Sequence, residues 1–159
     1  MIRQATLADL DAVTALEAAC FPAAEAATRE SMEDRLKAYR HCFWVDDDNG
    51  HIRAFINGMT TDEEILSDDM YEPNDKYRED GAYLMIFGVD THPDERLKGL
   101  ASGVMYQVIA DCRAAGRKGI KLTCKEEKIP FYQRFGFEME GVSESTHGGA
   151  VWYAMQLKL

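Results

Sequence analysis

The stretch Val89-Asp-Thr-His-Pro-Asp-Glu-Arg-Leu-Lys-Gly-Leu-Ala101 joins the end of an apolar run to a glycine-containing turn and then to residues at helical spacing. A helix start of this kind offers main-chain N–H groups that have no partner, and the helix dipole adds to their pull on an anion. Gly99 lets a ligand come close to the backbone, while Arg96 and Lys98 add positive charge. The chemistry available to this stretch is therefore the holding of a pyrophosphate. It is not a Walker loop, which needs Gly-Lys-Ser/Thr, nor a dinucleotide fingerprint, which needs Gly-x-Gly-x-x-Gly. Arg-x-x-Gly-x-Ala also begins helices that bind nothing, and taken alone it does not separate the two readings.

Proton transfer needs a group that titrates near neutrality. His147, in Thr146-His-Gly-Gly149, has an imidazole whose ordinary pKa near ~6.5 suits it, although a histidine in a turn is also often merely exposed. His92 precedes Pro93, where a backbone role is expected, and His41 and His51 flank surface-like segments. The cysteines Cys20, Cys42, Cys112 and Cys124 form no Cys-x-x-Cys pair and have no histidine at zinc-ligand spacing. They read as buried thiols, no metal is expected, and free thiols suit a reducing compartment.

The elements that must position these groups follow from periodicity. Ile2 to Ala5 reads as a strand, and Thr6 to Asp9 as a capping box leading into a helix with Leu7, Leu10, Val13 and Leu16 at helical spacing, ending near Cys20. Pro22 interrupts it, and a second helix is expected from about Thr28 through Met32, Leu36 and Tyr39. Cys42–Val45 and His51–Met59 read as a hairpin around a turn over Asp46–Gly50. The connection Asp62–Asp80 carries nine carboxylates against Lys76 and Arg78, with a helix expected near Ile65–Met70. Strand Ala82–Asp90, a long helix through Leu100, Val104, Val108 and Cys112, strand Ile120–Cys124, a short helix ended by Gly136, and strands Phe137–Val142 and Val151–Leu157 complete the chain. This order implies a mixed sheet with helices on both faces, an α/β fold, or α+β by a stricter count.

At 159 residues, with 46% hydrophobic and 29% charged residues, the chain fits one domain spanning 1–159. A formal charge of −10 makes nucleic acid and anionic membrane poor partners. The apolar run Ala82–Val89 is far short of the roughly 18 residues that a membrane helix needs, and the start lacks a signal-peptide pattern, so a cytoplasmic protein is expected.

A second motif, Ile129-Pro-Phe-Tyr-Gln-Arg-Phe-Gly-Phe137, lies one helix and one strand beyond the first. Pro93-x-x-Arg-x-x-Gly-x-Ala101 followed by Phe131-Tyr-x-x-x-Gly-Phe137 resembles the GNAT superfamily of acyl-CoA-dependent N-acetyltransferases, over nearly the whole chain. Within it the chain looks most like the arylalkylamine (serotonin-type) N-acetyltransferases, especially their microbial branch. That likeness rests on Cys20-Phe-Pro-Ala-Ala-Glu-Ala-Ala27, Phe55-Ile-Asn-Gly58, Thr123-Cys-Lys125, Pro130-Phe-Tyr132 and Thr146-His-Gly-Gly-Ala-Val-Trp-Tyr153.

The resemblance implies a mostly antiparallel sheet of about six to seven strands and acetyl-CoA as cosubstrate. It implies that Val89, Asp90 and Thr91 splay from the next strand and pair with the pantetheine amides, and that Arg96, Leu97, Lys98, Gly99, Leu100 and Ala101 hold the pyrophosphate. Tyr132 matches the family's general acid; the departing thiolate, with a thiol pKa near ~8.5, can accept a proton from a phenol near ~10 if the phenol shifts slightly downward. As an arbitrary tyrosine it would simply pack under the sheet. The histidine pair of the animal enzymes is replaced here by Met85 and Phe87. Resemblance to related enzymes without that pair, insect ones included, which carry a glutamate on the loop between the first two helices, implies Glu25 as the base through water, with a solvated or helix-capping glutamate as its other reading and His147 as the other candidate. Backbone amides near Val89 are the candidate oxyanion partners. The expected reaction is acetyl transfer to a small, arylalkyl primary amine by a monomer or homodimer. Polyamine or peptide acetylation, or an acyl-CoA-binding module without catalysis, stand as alternatives.

Overall fold

The computed structural model describes residues 1–39 and 41–159. Strands β1 (Ile2–Gln4), β2 (Phe43–Asp48) and β3 (His51–Thr61) pair antiparallel. The β2–β3 turn is only Asn49 and Gly50, at φ 52° and 92°, the conformation whose twist matches a two-residue hairpin. It is narrower than the five residues expected from sequence because β2 continues to Asp48. Arg53 grips Asp46 at 2.8 Å and Arg3 grips Asp47 at 3.0 Å, so these carboxylates belong to the strand.

β3 pairs antiparallel with β4 (Tyr83–Thr91), but the register passes from Asn57↔Gly88 to Gly58↔Ile86. Phe87 is thus one extra residue on β4, a bulge that bends the strand and re-aims its side chains. Gly58 permits this close approach: a Cβ there would run into the Met85 carbonyl oxygen. β4 pairs parallel with β5 (Gly119–Cys124) only from Tyr83↔Gly119 to Met85↔Lys121. β5 instead stays with β7 (Tyr153–Lys158) as far as Cys124↔Tyr153, and β6 (Glu138–Val142) pairs outside β7. The result is one seven-stranded, mostly antiparallel sheet, order β1-β2-β3-β4-β5-β7-β6, in which β4 and β5 part company halfway.

Alternation along the strands supplies two cores. Phe43, Val45 and Phe55 meet Leu10, Val13, Leu16, Met32 and Leu36 of α1 (Leu10–Cys20) and α2 (Arg29–Ala38). Trp44, Ile56, Leu84 and Ile120 meet Val104, Met105 and Val108 of α3 (Leu100–Ala114). The short helix α4 (Ile129–Gln133) lies beside α3, where Tyr106 stands edge-on to Phe135 at 5.1 Å. The fold is therefore mixed α/β with helices on both faces, as expected.

The helix expected near Ile65–Met70 is instead a 3₁₀ turn, Asp68–Tyr71, stopped before Pro73. Both carboxylates of this turn are used, Asp69 pairing with Lys76 at 2.8 Å and Asp68 accepting from Ser145 and Thr146, while Asp62 earlier in the connection accepts the Ala82 N–H at 3.0 Å. Among the described residues no helix is long and apolar enough to cross a membrane.

The capping box at the first helix forms, with the Thr6 N–H donating to Asp9 Oδ2 at 2.8 Å and Arg3 adding bonds of 2.8 and 2.9 Å to the same carboxylate. Arg3 first, then the Thr6 N–H, hold Asp9 below its ordinary range against the opposing effect of burial. A lowered folded pKa gives stability that is present above the unfolded value near ~3.9 and is lost as pH falls through the folded one. Asp9→Asn is expected to cost about 1–3 kcal/mol near neutral pH. Urea unfolding should show the gap to the parent closing as pH falls below about 4; a gap constant with pH would assign the loss to packing instead.

Candidate active site

The parting of β4 and β5 opens a cavity of 780 Å³. One wall is the β4 segment Ile86–Val89, which has lost β5 as a partner, and the opposite wall is Leu122–Lys125 of β5 and its exit. Strand edges of this kind expose N–H and C=O groups that an extended amide ligand can complete. Val89 and Thr91 line the cavity as expected from sequence. Asp90 does not. Its side chain, 1% exposed, turns under α1.

Beyond Thr91 the chain makes a 3₁₀ turn in which His92 Nδ1 accepts the Asp94 N–H at 3.2 Å, the backbone role expected of His92. Leu97 and Gly99 then adopt left-handed φ of 68° and 75°. This double reversal lays the first-turn amides of the fifteen-residue α3 toward the cavity, where Leu100, Ala101 and Ser102 form its wall together with Arg96, Leu97 and Gly99. Lys98 points off the wall into solvent. The arrangement fits a diphosphate at the helix start continued by an extended amide chain along β4.

Tyr132, brought over the cavity by α4, sits edge-on to Phe131 at 5.1 Å and Phe137 at 5.8 Å. The small downward shift expected of its phenol is not what the site imposes. Burial, followed by the nearby Cys124 and Asp90, pushes Tyr132 well above the ordinary phenol range. The proton is therefore firmly held at rest. The same burial acts on thiols beside it, and Cys124 is pushed up to about 11. A thiolate leaving into this space is likewise made more basic, so the two effects offset.

Glu25 and His147 are brought together, but not as a free base and a loose turn. Lys125 Nζ stands 2.8 Å from both Glu25 oxygens, and the Glu25 side chain is 7% exposed. The glutamate is neither solvated nor a helix cap. His147 Nε2 donates to the Glu25 carbonyl at 2.8 Å, because a carbonyl only accepts. The His147 ring stacks on Tyr71 at 5.4 Å and 11°, and Trp152 Nε1 donates to the His147 carbonyl at 2.7 Å. With Ser145 and Thr146 bonded to Asp68, the β6–β7 loop forms a roof over the α1–α2 loop.

Sequence reasoning missed Tyr71, Trp152 and Lys125, which share this wall, and also Cys20. That thiol lines the cavity and donates to the Thr91 carbonyl at 3.1 Å, whereas Cys42, Cys112 and Cys124 are buried as expected. Only the likeness around Cys20-Phe-Pro and Thr146–Tyr153 drew attention to these loops; nothing in their spacing told which rings would meet.

The architecture recurs in solved structures. The GphF GNAT-like decarboxylase in complex with isobutyryl-CoA superposes with a TM-score of 0.82 at 20% identity, covering 99% of this chain and 98% of that one. The ribosomal-protein-S18-alanine N-acetyltransferase from Escherichia coli gives 0.75 at 17% identity, over 99% and 92% of the two chains. The structure of yncA from Salmonella typhimurium with its cofactor acetyl-CoA gives 0.71 at 18% identity, over 100% and 93%. At such identities the likeness is one of fold. The family model described as the acetyltransferase (GNAT) family matches residues 10–137, most of the sheet and both walls of the cavity, and the chain belongs to that family.

Proposed function

We propose that this chain transfers the acetyl group of acetyl-CoA to the primary amine of a small amine carrying an aromatic group. Acetyl-CoA supplies a thioester carbonyl to the amine nitrogen. The first-turn amides of α3 and Arg96 hold the diphosphate, and the open edge of β4 at Val89–Thr91 holds the extended pantetheine amides and supplies N–H groups to the developing oxyanion. Tyr132 gives its proton to the departing sulfur. Glu25 and His147 hold the amine mouth: the ion-paired carboxylate fixes Lys125, and the imidazole fixes the aromatic wall.

The observation that carries the aromatic preference is a connected row of rings on the cavity wall. Phe87 meets Tyr71 at 4.8 Å, Tyr71 meets His147 at 5.4 Å, and His147 meets Trp152 at 6.0 Å. Flat, half-polar faces of this kind favour an aryl group at one end of a short amine. The roof held by Asp68 and Glu25 favours a small molecule over a peptide, which would need an open groove.

Thiol release from acetyl-CoA, measured with tryptamine, phenethylamine, spermidine and a lysine peptide, is expected to be fast with the two aromatic amines only. Preference for spermidine or the peptide would overturn the substrate class. No turnover with any acceptor, alongside calorimetric CoA binding, would favour a binding module. Tyr132→Phe is expected to lower kcat by roughly 10²–10⁴-fold with CoA affinity unchanged; an unchanged kcat would remove Tyr132 from the reaction. Glu25→Gln removes the charge that holds Lys125 and is expected to raise KM for the amine several-fold and to speed amide exchange in residues 143–152. Unchanged exchange there would mean that the roof does not depend on the pair.

A further inference from the structure

On the α1 side of the sheet, Glu17 of α1, Asn57 of β3 and Asp90 of β4 meet beside Gly88, being 5%, 1% and 1% exposed. Glu17 Oε1, Asn57 Nδ2 and both Asp90 oxygens have no hydrogen-bond partner among the described residues. Three of these atoms close over the face of Gly88. The place where a Cβ on Gly88 would stand is 3.1 Å from Asp90 Oδ1, 3.3 Å from Asn57 Nδ2 and 3.6 Å from Glu17 Oε1. Buried carboxyl oxygens without a donor are costly, so Glu17 and Asp90 are stable as a pair that shares one proton, and the hydrogen bond between them is among the causes that raise Asp90. Glu17 and Gly88 also line the cavity, which connects the pocket to the reacting end of the site.

The surrounding groups fix the charge. Burial, then Glu17, hold Asp90 well above the ordinary carboxylate range, so the one proton of the pair sits on Asp90. Arg35 from α2, donating to Asn57 Oδ1 at 3.1 Å and to the Tyr71 carbonyl at 3.2 Å, balances that charge from above the Phe87 ring at 4.8 Å. Cys20 of α1, Tyr39 of α2, Tyr71 and Glu72 of the 3₁₀ segment and Tyr132 of α4 complete the titratable surroundings. The second oxygen of Glu17 accepts the Ala27 N–H at 2.8 Å, which aims Oε1 at the pocket. Glu25, by contrast, has both oxygens against Lys125.

We propose that this cluster is the proton acceptor of the transfer, with Glu17, which lines the cavity, taking the ammonium proton while Asn57 and Asp90 hold the carboxylate in place. The inference rests on the acetyl-transfer reading above. Glu17 gains one proton and the amine nitrogen gains a free lone pair, which forms the C–N bond as the C–S bond breaks. The second proton lost from that nitrogen replaces the one that Tyr132 gives to sulfur, and the proton on Glu17 returns to solvent after the products leave.

The test is kcat for thiol release from acetyl-CoA across about pH 5 to 9, with phenethylamine, in the full chain and in Glu17→Gln and Gly88→Ala. The parent should lose kcat on the acid side, where the carboxyl pair takes up a second proton. Glu17→Gln should lower kcat by at least roughly 100-fold and abolish that acid limb, with CoA affinity by calorimetry unchanged. Gly88→Ala places a methyl group among the three polar atoms without changing their chemistry; it should lower kcat and move the acid limb, and it decides the matter if Glu17→Gln does not fold. Parent-like kcat and pH profiles in the folded variants would overturn the proposal while leaving acetyl transfer intact. A parent that acetylates none of the amines tested above would overturn both.

Discussion

One extra residue in one strand sets the rest of the structure. With Phe87 inserted opposite the Asn57–Gly58 step, β4 cannot keep both neighbours, and its pairing with β5 ends at Met85. The bulge needs Gly58, because any side chain there would meet the Met85 carbonyl. From that single irregularity come the cleft between β4 and β5 and the unpaired strand edge on which an acyl carrier can lie. The bulge also turns Phe87 toward Arg35 and Tyr71 while Gly88 faces Glu17, Asn57 and Asp90. A regular β4 would close the cleft and remove the pocket at once.

Charge is distributed to suit the two ends of the cleft. The overall formal charge is −10, yet the helix start on the cavity wall has Arg96 and free amides, and the adjoining Asp94 and Glu95 stay off that wall. At the other end Glu25 is ion-paired with Lys125, and Glu17 lies within electrostatic reach of the buried Arg35. Buried pairs of this type contribute little net stability, and losing one partner is costly, so their value here is in orienting loops and holding protons. Tyr132 fits the same pattern, its proton held firmly by burial.

Much of the fold is legible from local patterns. The Thr6–Asp9 capping box, the break at Pro22, the four-residue recurrence from Leu100 to Cys112 and the Gly136 stop each have a local cause that tertiary packing does not override. The misreadings have equally local causes. Charged side chains made Asp46–Asp48 look like turn, though arginines across the hairpin hold them as strand. The helix expected near Ile65–Met70 shortens to the 3₁₀ turn Asp68–Tyr71, where Asp68 accepts from Ser145 and Asp69 pairs with Lys76 instead. In the site, the helix-start wall was readable because it is nearly contiguous, Arg96, Leu97 and Gly99 to Ala101, with Lys98 turned away to solvent. Glu17, Asn57 and Asp90 come from three separate elements and are joined only by the bulge, a register shift that no spacing in the sequence announces.

Amide hydrogen exchange with and without acetyl-CoA tests the open strand edge most directly. The amides of Tyr83–Met85 should be protected in both states because β5 already covers them, whereas those of Ile86–Val89 that face β5 should exchange fast alone and become protected when acetyl-CoA is added. The first-turn amides of α3 should gain protection with them. Protection of Ile86–Val89 already complete in the free protein, or unchanged by saturating acetyl-CoA, would contradict the view that the bulge exists to leave this edge for the acyl carrier.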